Sequence, residues 1–439
     1  MKEKIEYLLF SNKFYNVFFK PFDRIRYPVV SLEDLKGERQ KNPVPLNKIA
    51  NMADMFNPQW REVLEDMGTY FVMDEQRFHR KTWEHVHIAF VLKQAGCLNP
   101  SNRGLSVGAG REPVLYYLAH KVRKITGIDM YEGYYLGGED EADICRHPAK
   151  FAPFVYPEER LELLQMDARH LDFGDAQFDF IFSASSIEHF GTVKDIKEAI
   201  REMYRVLKPG GGCVITTELK LNRFGSRIPN TRIFRLAELL QLFEESGFAV
   251  DKDGIDIRIE DQGLNNWIKL PQEVSRRPHL IMRYFKTVFT SLCLIFTRPG
   301  SDVQRGEWRG DTHIVPLDYG GEIEVRLNKR AFSRGEQAEI DVELTNSGNF
   351  DWYTGGASHR IALGVQLLDG GGGRLDQNFA DFTLLRPVKK SESLHFTVRL
   401  PLDLAPGSYR LLFDLKRELV TWFAEQGNEP RIESIKILP

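Results

Sequence analysis

The stretch Leu105-Ser106-Val107-Gly108-Ala109-Gly110-Arg111-Glu112-Pro113 decides how the first half of this chain folds. A short apolar run ends in two glycines one residue apart, and Val114, Leu115, Leu118 and Ala119 then recur at helical spacing. The pattern predicts a strand, a tight turn and a helix. Glycine suits such a turn because it accepts positive φ, and because a missing Cβ lets the backbone approach a ligand closely. Working outward, strands are expected at Gly104–Val107, Lys124–Asp129, Leu161–Met166, Phe178–Ser183 and Cys213–Glu218, with a late strand at Ser291–Phe296. Helices are expected at Trp83–Ala95, Val193–Leu207 and Leu236–Ser246. In the second of these, Ile196, Ala199, Ile200, Met203, Tyr204 and Leu207 form one apolar face. Strands alternating with helices indicate βαβ units and a parallel sheet.

The length of 439 residues favours two domains, and 42% hydrophobic with 28% charged residues describes a soluble globular chain. A net charge of −3 gives no case for a nucleic-acid partner. Cys97, Cys145, Cys213 and Cys293 lie far apart without a C-x-x-C pair, which argues against zinc or disulfides and fits a reducing, cytoplasmic compartment. Cys145 and His147 make two candidate ligands without partners, so no metal site is expected. The Ile5–Phe22 stretch is interrupted by Asn12, Lys13, Asn16 and Lys20, which excludes a secretory core. Val288–Phe296 is too short to span a bilayer. The first 50 residues hold ten Lys/Arg against six Asp/Glu, interleaved with aromatics. This N-terminal part reads either as helices packed on the main domain or as a peripheral contact with the inner face of a membrane.

After Arg298-Pro299-Gly300 the character changes. Short alternating strands are expected at Glu322–Leu327, Ala338–Leu344, Ile361–Leu368, Leu394–Leu400, Tyr409–Leu415 and Ile432–Leu438. Their even spacing suggests an all-β, immunoglobulin-like sandwich. The expected organisation is a helical extension over 1–80, an α/β Rossmann-like domain over 81–300, a linker over 301–320 and the sandwich over 321–439.

A glycine turn alone leaves nicotinamide, flavin and S-adenosylmethionine (SAM) as candidate ligands. Four further features follow in order. Asp129 ends the second strand, where an acid can accept both hydrogen bonds of a ribose diol. Met166-Asp167-Ala168 follows the third strand, and Phe178-Asp179-Phe180-Ile181-Phe182-Ser183 forms the fourth. Leu207-Lys208-Pro209-Gly210-Gly211 precedes the fifth. This order resembles the class I SAM-dependent methyltransferases, of the type 11 kind, over roughly residues 80–298. Pro113 stands where a third glycine would complete G-x-G-x-x-G, which departs from the nicotinamide pattern. The resemblance implies SAM as cofactor, with Val107, Gly108 and Gly110 beside its methionine part and Asp129 on the ribose. It implies Met130 against the adenine, Asp167 and Ala168 at the adenine edge, and Ser183 beneath the sulfonium.

Methyl transfer to a hydroxyl benefits from a base, and His189, just past the fourth strand, is the leading candidate, with Glu188 and Glu218 as alternates. The long segment Tyr131–Glu159, with Tyr131, Tyr134, Tyr135 and Gly137-Gly138, reads as a lid or acceptor wall, or as a solvated insertion. The C-terminal region, with Trp352, Pro406-Gly407-Ser408-Tyr409 and Trp422-Phe423, resembles β-sandwich modules appended to bacterial enzymes of polysaccharide biosynthesis. That resemblance implies a sugar or glycan acceptor, nucleotide- or lipid-linked, with Trp352, Tyr353 and Trp422 as stacking platforms unless they belong to the core. The alternatives are methylation of a small metabolite or protein, with the sandwich serving assembly, and a non-catalytic glycan-binding scaffold. The oligomeric state is not legible.

Overall fold

The computed structural model describes residues 24–131, 139–225, 228–306 and 314–439. The Ile5–Phe22 stretch lies outside the described residues. By compactness the chain divides into one unit comprising Met1–Met130 with Tyr156–Ile314, and a second comprising Tyr131–Val155 with Val315–Pro439.

The first unit is built on β1 (Arg103–Val107), β2 (Lys124–Asp129), β3 (Leu161–Gln165), β4 (Phe178–Ala184), β5 (Leu207–Lys220) and β6 (Thr287–Thr297). Its longer helices are α1 (Leu32–Arg39), α2 (Pro58–Asp66), α3 (Arg80–Gln94), α4 (Pro113–Lys121), α6 (Val193–Val206) and α7 (Leu236–Glu244), while α5 (Glu139–Arg146) belongs to the second unit. The nine-stranded sheet runs β3-β2-β1-β4-β5-β6, followed by Met282–Tyr284 and Ile268–Lys269, with Lys48–Ile49 paired to β6. Strands β1 to β5 are parallel and β6 is antiparallel to β5, from Phe289↔Lys220 to Thr297↔Gly212. This is a Rossmann-like fold whose strand order reverses between β1 and β4, and ligands bind in the crevice at such a reversal.

Two of the recurring sequence features turn out to be structural. Asp179 of β4 accepts from the Arg103 backbone N–H at 2.8 Å and pairs with Lys208 Nζ at 2.6 Å. The aspartate of F-D-x-I and the lysine of L-K-P-G-G therefore tie β1, β4 and β5 together at the end of the sheet away from the glycine turn. Gly210 sits at φ +84, and an added Cβ would lie 2.9 Å from Gly300 O, so the entry into β5 requires glycine.

Residues 24–80 are less helical than their pattern suggests and do not form a separate extension. Lys48–Ile49 joins the sheet on β6, and Val29–Val30 pairs with Ile259–Glu260. A buried ionic network holds this part in place. Lys48 Nζ meets Asp54 Oδ2 at 2.6 Å, and Arg39 bridges Asp54 at 3.1 Å and Asp256 at 2.5 Å. Breaking one partner of such a network leaves an uncompensated buried charge.

The second unit has two sheets. One is β7 (Gly321–Leu327), β8 (Glu336–Asn346) and β11 (Ser393–Leu402). The other runs Ala331–Phe332, β13 (Arg431–Ile437), β12 (Gly407–Arg417), β9 (Ile361–Asp369) and β10 (Arg374–Thr383), with Thr421–Trp422 on β12. Alternating side chains from both sheets, among them Ile340, Val342, Leu363, Val365, Leu411 and Phe413, fill one core. Strand β10 escapes sequence reading because it is an edge strand exposed along most of its length, so it has no buried face to pattern. Of the Tyr131–Glu159 segment, residues 131–155 pack with this second unit. Lys150 Nζ reaches Gly355 O at 2.6 Å, and Arg417 Nη2 reaches Lys150 O at 2.5 Å. Tyr134, Tyr135, Gly137 and Gly138 lie outside the described residues.

Candidate functional site

The crevice at the strand reversal is walled by the turn after β1 and the turn after β4. Gly108 has φ +70, and an added Cβ would lie 2.3 Å from Ser186 Cβ. Ser186 Oγ donates to Gly108 O at 2.7 Å, locking the two turns together. Gly110, at φ +50, faces open space where a Cβ would sit. Asp129 Oδ2 accepts from the Gly110 N–H at 3.0 Å, so the acid at the end of β2 braces the turn. Val107 is fully buried beneath it, Ser183 Oγ is buried without a hydrogen-bond partner, and Met130 is 42% exposed at the crevice edge. An open glycine cradle, a half-buried carboxylate at ribose position and an orphaned hydroxyl on the floor fit SAM.

Asp167 departs from the simple expectation. Its carboxylate is engaged by Arg169 at 2.6 Å, and Arg169 also bridges Asp195 at 3.1 Å. The Arg169 guanidinium holds the Asp167 carboxyl below its ordinary range. An adenine amino group at this edge would therefore share Asp167 with an arginine. Ala168 is nearly buried beside it.

Beyond the crevice, α3 carries a polar cluster into the ends of β4, β5 and β6. Glu84, fully buried, accepts from Ser185 Oγ at 2.6 Å and from the Ser291 hydroxyl, and pairs with Arg80 at 2.8 Å and Lys81 at 3.2 Å. Burial alone would raise its carboxyl, but Lys81, Arg80 and the two hydroxyls outweigh that and bring it down to about 2. Arg80 also pairs with Glu218 at 2.9 Å. Glu188 is 2% exposed and accepts from Thr217 Oγ1 at 2.8 Å. Burial first, and then the charge of Glu218, push its carboxyl up to about 8. Glu84 and Glu188 thus sit in divergent environments, one carboxyl held down and the other pushed up.

A cavity of about 880 Å³ opens at this end of the sheet. Glu188, His189, Thr192, Asn230, Arg232 and Thr287 are among its lining residues, and Glu218 is not. The His189 ring is exposed, with Nδ1 2.9 Å from Asn230 O. The structure thus brings His189 and Glu188 to one wall and sets Glu218 behind Glu188. Sequence reading missed Arg80, Glu84, Ser186, Thr217 and Arg169. The only local signal was Arg80-Lys81-x-x-Glu84, charges at helical spacing with nothing to show that they face inward.

The aromatic platforms divide. Trp352 is fully buried in the second unit's core, 5.9 Å from Phe423, and cannot present a face to a sugar. Trp422 lies half-buried over Gly364, where a Cβ would clash at 2.4 Å, with Lys416 Nζ 5.4 Å from its ring. Tyr353 is half-buried with its ring 5.4 Å from that of His147.

Residues 105–215 match the family described as Methyltransferase domain. The chain is 26% identical over 140 residues to a sterol 4-C-methyltransferase of Caenorhabditis elegans, covering 32% of this chain and 37% of that one. It is 27% identical over 152 residues to a protein described as a probable SAM-dependent methyltransferase of Mycolicibacterium smegmatis, covering 34% and 52%. It is 29% identical over 159 residues to a phosphatidylethanolamine N-methyltransferase of Cereibacter sphaeroides, covering 36% and 70%. The chain thus spans 37%, 52% and 70% of these relatives' own lengths, and the likeness is confined to about a third of this one. The first unit is a Rossmann-like domain of the class I SAM-dependent methyltransferase type, and S-adenosyl-L-methionine is its cofactor.

Proposed function

We propose that the protein transfers a methyl group from SAM to a hydroxyl of a sugar or glycan, nucleotide- or lipid-linked. The observation that carries this reading is the lining of the cavity beside Glu188. Most of its lining residues carry polar side chains, and Asn230, Arg232, Thr192 and Thr287 offer the donors and acceptors that a polyhydroxylated acceptor needs and a sterol does not. When bound, SAM supplies an activated methyl group for in-line attack. The protein's part is to hold the acceptor in line, exclude water and take a proton.

Glu188 is the better candidate for that last role. A carboxyl with an affinity of about 8 is matched to proton transfer near neutral pH, whereas the His189 ring is exposed at the rim. His189 then contacts the acceptor, and the charge of Glu218, held by Arg80, adds to the burial that raises the proton affinity of Glu188. The half-exposed indole of Trp422 supports a secondary glycan contact on an immunoglobulin-like second unit.

The test is incubation with methyl-labelled SAM and a panel of nucleotide sugars, lipid-linked glycans, sterols and phospholipid amines. Label in a sugar hydroxyl is expected, with transfer rising with pH as Glu188 ionises. Glu188→Gln should lower turnover by roughly 10²-fold or more, while His189→Ala should mainly raise KM. Label confined to sterol or amine headgroups would overturn the acceptor, and failure to bind SAM would overturn the enzyme.

A further inference from the structure

The rim of the cavity carries charge out of proportion to the chain. Among the described residues of 220–235 there are four Lys/Arg and no acid, and residues 264–287 hold five against Glu273 alone, although the net charge is −3. The two segments are contiguous in space. Leu221 N–H donates to Val288 O at 2.8 Å, Asn222 Nδ2 to Lys286 O at 2.7 Å, and Ile268 pairs with Met282. Arg223, Arg235, Lys269, Arg276 and Arg277 are exposed. Of these, Arg276 is paired with Glu273 at 3.4 Å, while the other four form no ion pair among the described residues.

Apolar tips rise from the same rim. Phe285 is 69% exposed at the turn between Met282–Tyr284 and β6, and Val274 is 58% exposed. Phe285 holds φ +49, a left-handed conformation that a bulky aromatic adopts at a cost. Its ring meets Tyr284 edge-on at 4.8 Å, and most of its surface is left to solvent.

We propose that this rim docks the first unit onto an anionic lipid bilayer, with Phe285 inserted at headgroup level. Each cation near an anionic leaflet adds attraction, and aromatic side chains favour the interface. A nucleic acid would meet the charges but would leave the aliphatic Val274 tip without a partner. Lys220, Gly225 and Thr287 belong both to the rim and to the cavity lining, so a lipid-borne acceptor would reach the cavity from the surface. The docking does not depend on the methyl-transfer reading, because it is read without acceptor or turnover.

The test is co-sedimentation of the full chain with vesicles of phosphatidylcholine alone, or mixed with phosphatidylglycerol. Binding to the mixed vesicles only is expected, with release at high salt. Lys269→Glu, Arg276→Glu and Arg277→Glu together should weaken it by roughly tenfold or more. Phe285→Asn should weaken it severalfold while leaving Tm unchanged or higher, because Asn tolerates the left-handed backbone. Equal binding to both vesicles, no binding, unaltered binding by the rim variants, or tighter retention on single-stranded DNA would each overturn the proposal.

Discussion

Gly108 shows how much one missing Cβ decides at the residue scale. Its φ of +70 and the 2.3 Å approach to Ser186 Cβ mean that alanine would strain the backbone and push the two crevice turns apart. Gly108→Ala is expected to abolish SAM binding in calorimetry and to cost about 2 kcal/mol or more in denaturant unfolding. Glu188 offers a pH-dependent counterpart. Its carboxyl is raised to about 8, so the folded state holds a proton that the unfolded state releases above its ordinary value near 4.5. The resulting stability is fully present below that ordinary value and is lost as pH rises through about 8. Glu188→Gln, which imitates the protonated form, should match the native Tm at pH ~4 and exceed it at pH ~9 by a few degrees. A native Tm advantage at high pH would contradict the buried proton.

Among the elements, α6 and α3 place the site by different means. Helix α6 begins with a capping box in which Thr192 and Asp195 bond reciprocally, and Asp195 passes the link through Arg169 to Asp167. Thr192→Ala should cost about 1 kcal/mol, read as a lower urea midpoint at unchanged m. Helix α3 instead carries an inward charge. Glu84→Ala would strip Arg80, Ser185 and Ser291 of a shared acceptor in a dry site, and should cost about 3–5 kcal/mol. The capping box at α6 was open to sequence reading, because Thr192 and Asp195 stand three apart before an apolar run. The inward face of α3 was not, because Arg80, Lys81 and Glu84 look like an ordinary solvated helix start until β4, β5 and β6 close over them.

For the whole molecule, the chain crosses between units three times, because residues 131–155 interrupt the α/β unit and pack with the strands of the second. Arg417, 4% exposed, donates to Lys150 O and Ala152 O in that insertion. A fragment beginning near residue 315 would leave this guanidinium without these two carbonyls, keeping only the Tyr319 hydroxyl at 3.2 Å. It should melt well below the same region in the full chain, by about 2–4 kcal/mol, and recover when a peptide of residues 131–155 is supplied. No helix among the described residues is long and apolar enough to cross a membrane, and the basic rim with Phe285 at its tip is a surface that only folding assembles. Periodicity and turn chemistry act over a few residues, so sequence alone determined the βαβ order, the glycine turn and the alternating strands of the second unit. The partnership of Glu188 with Glu218, the burial of Trp352, the engagement of Asp167 by Arg169 and the allegiance of residues 131–155 were decided by tertiary structure. Each depends on which groups, distant in the chain, are left together when water is excluded.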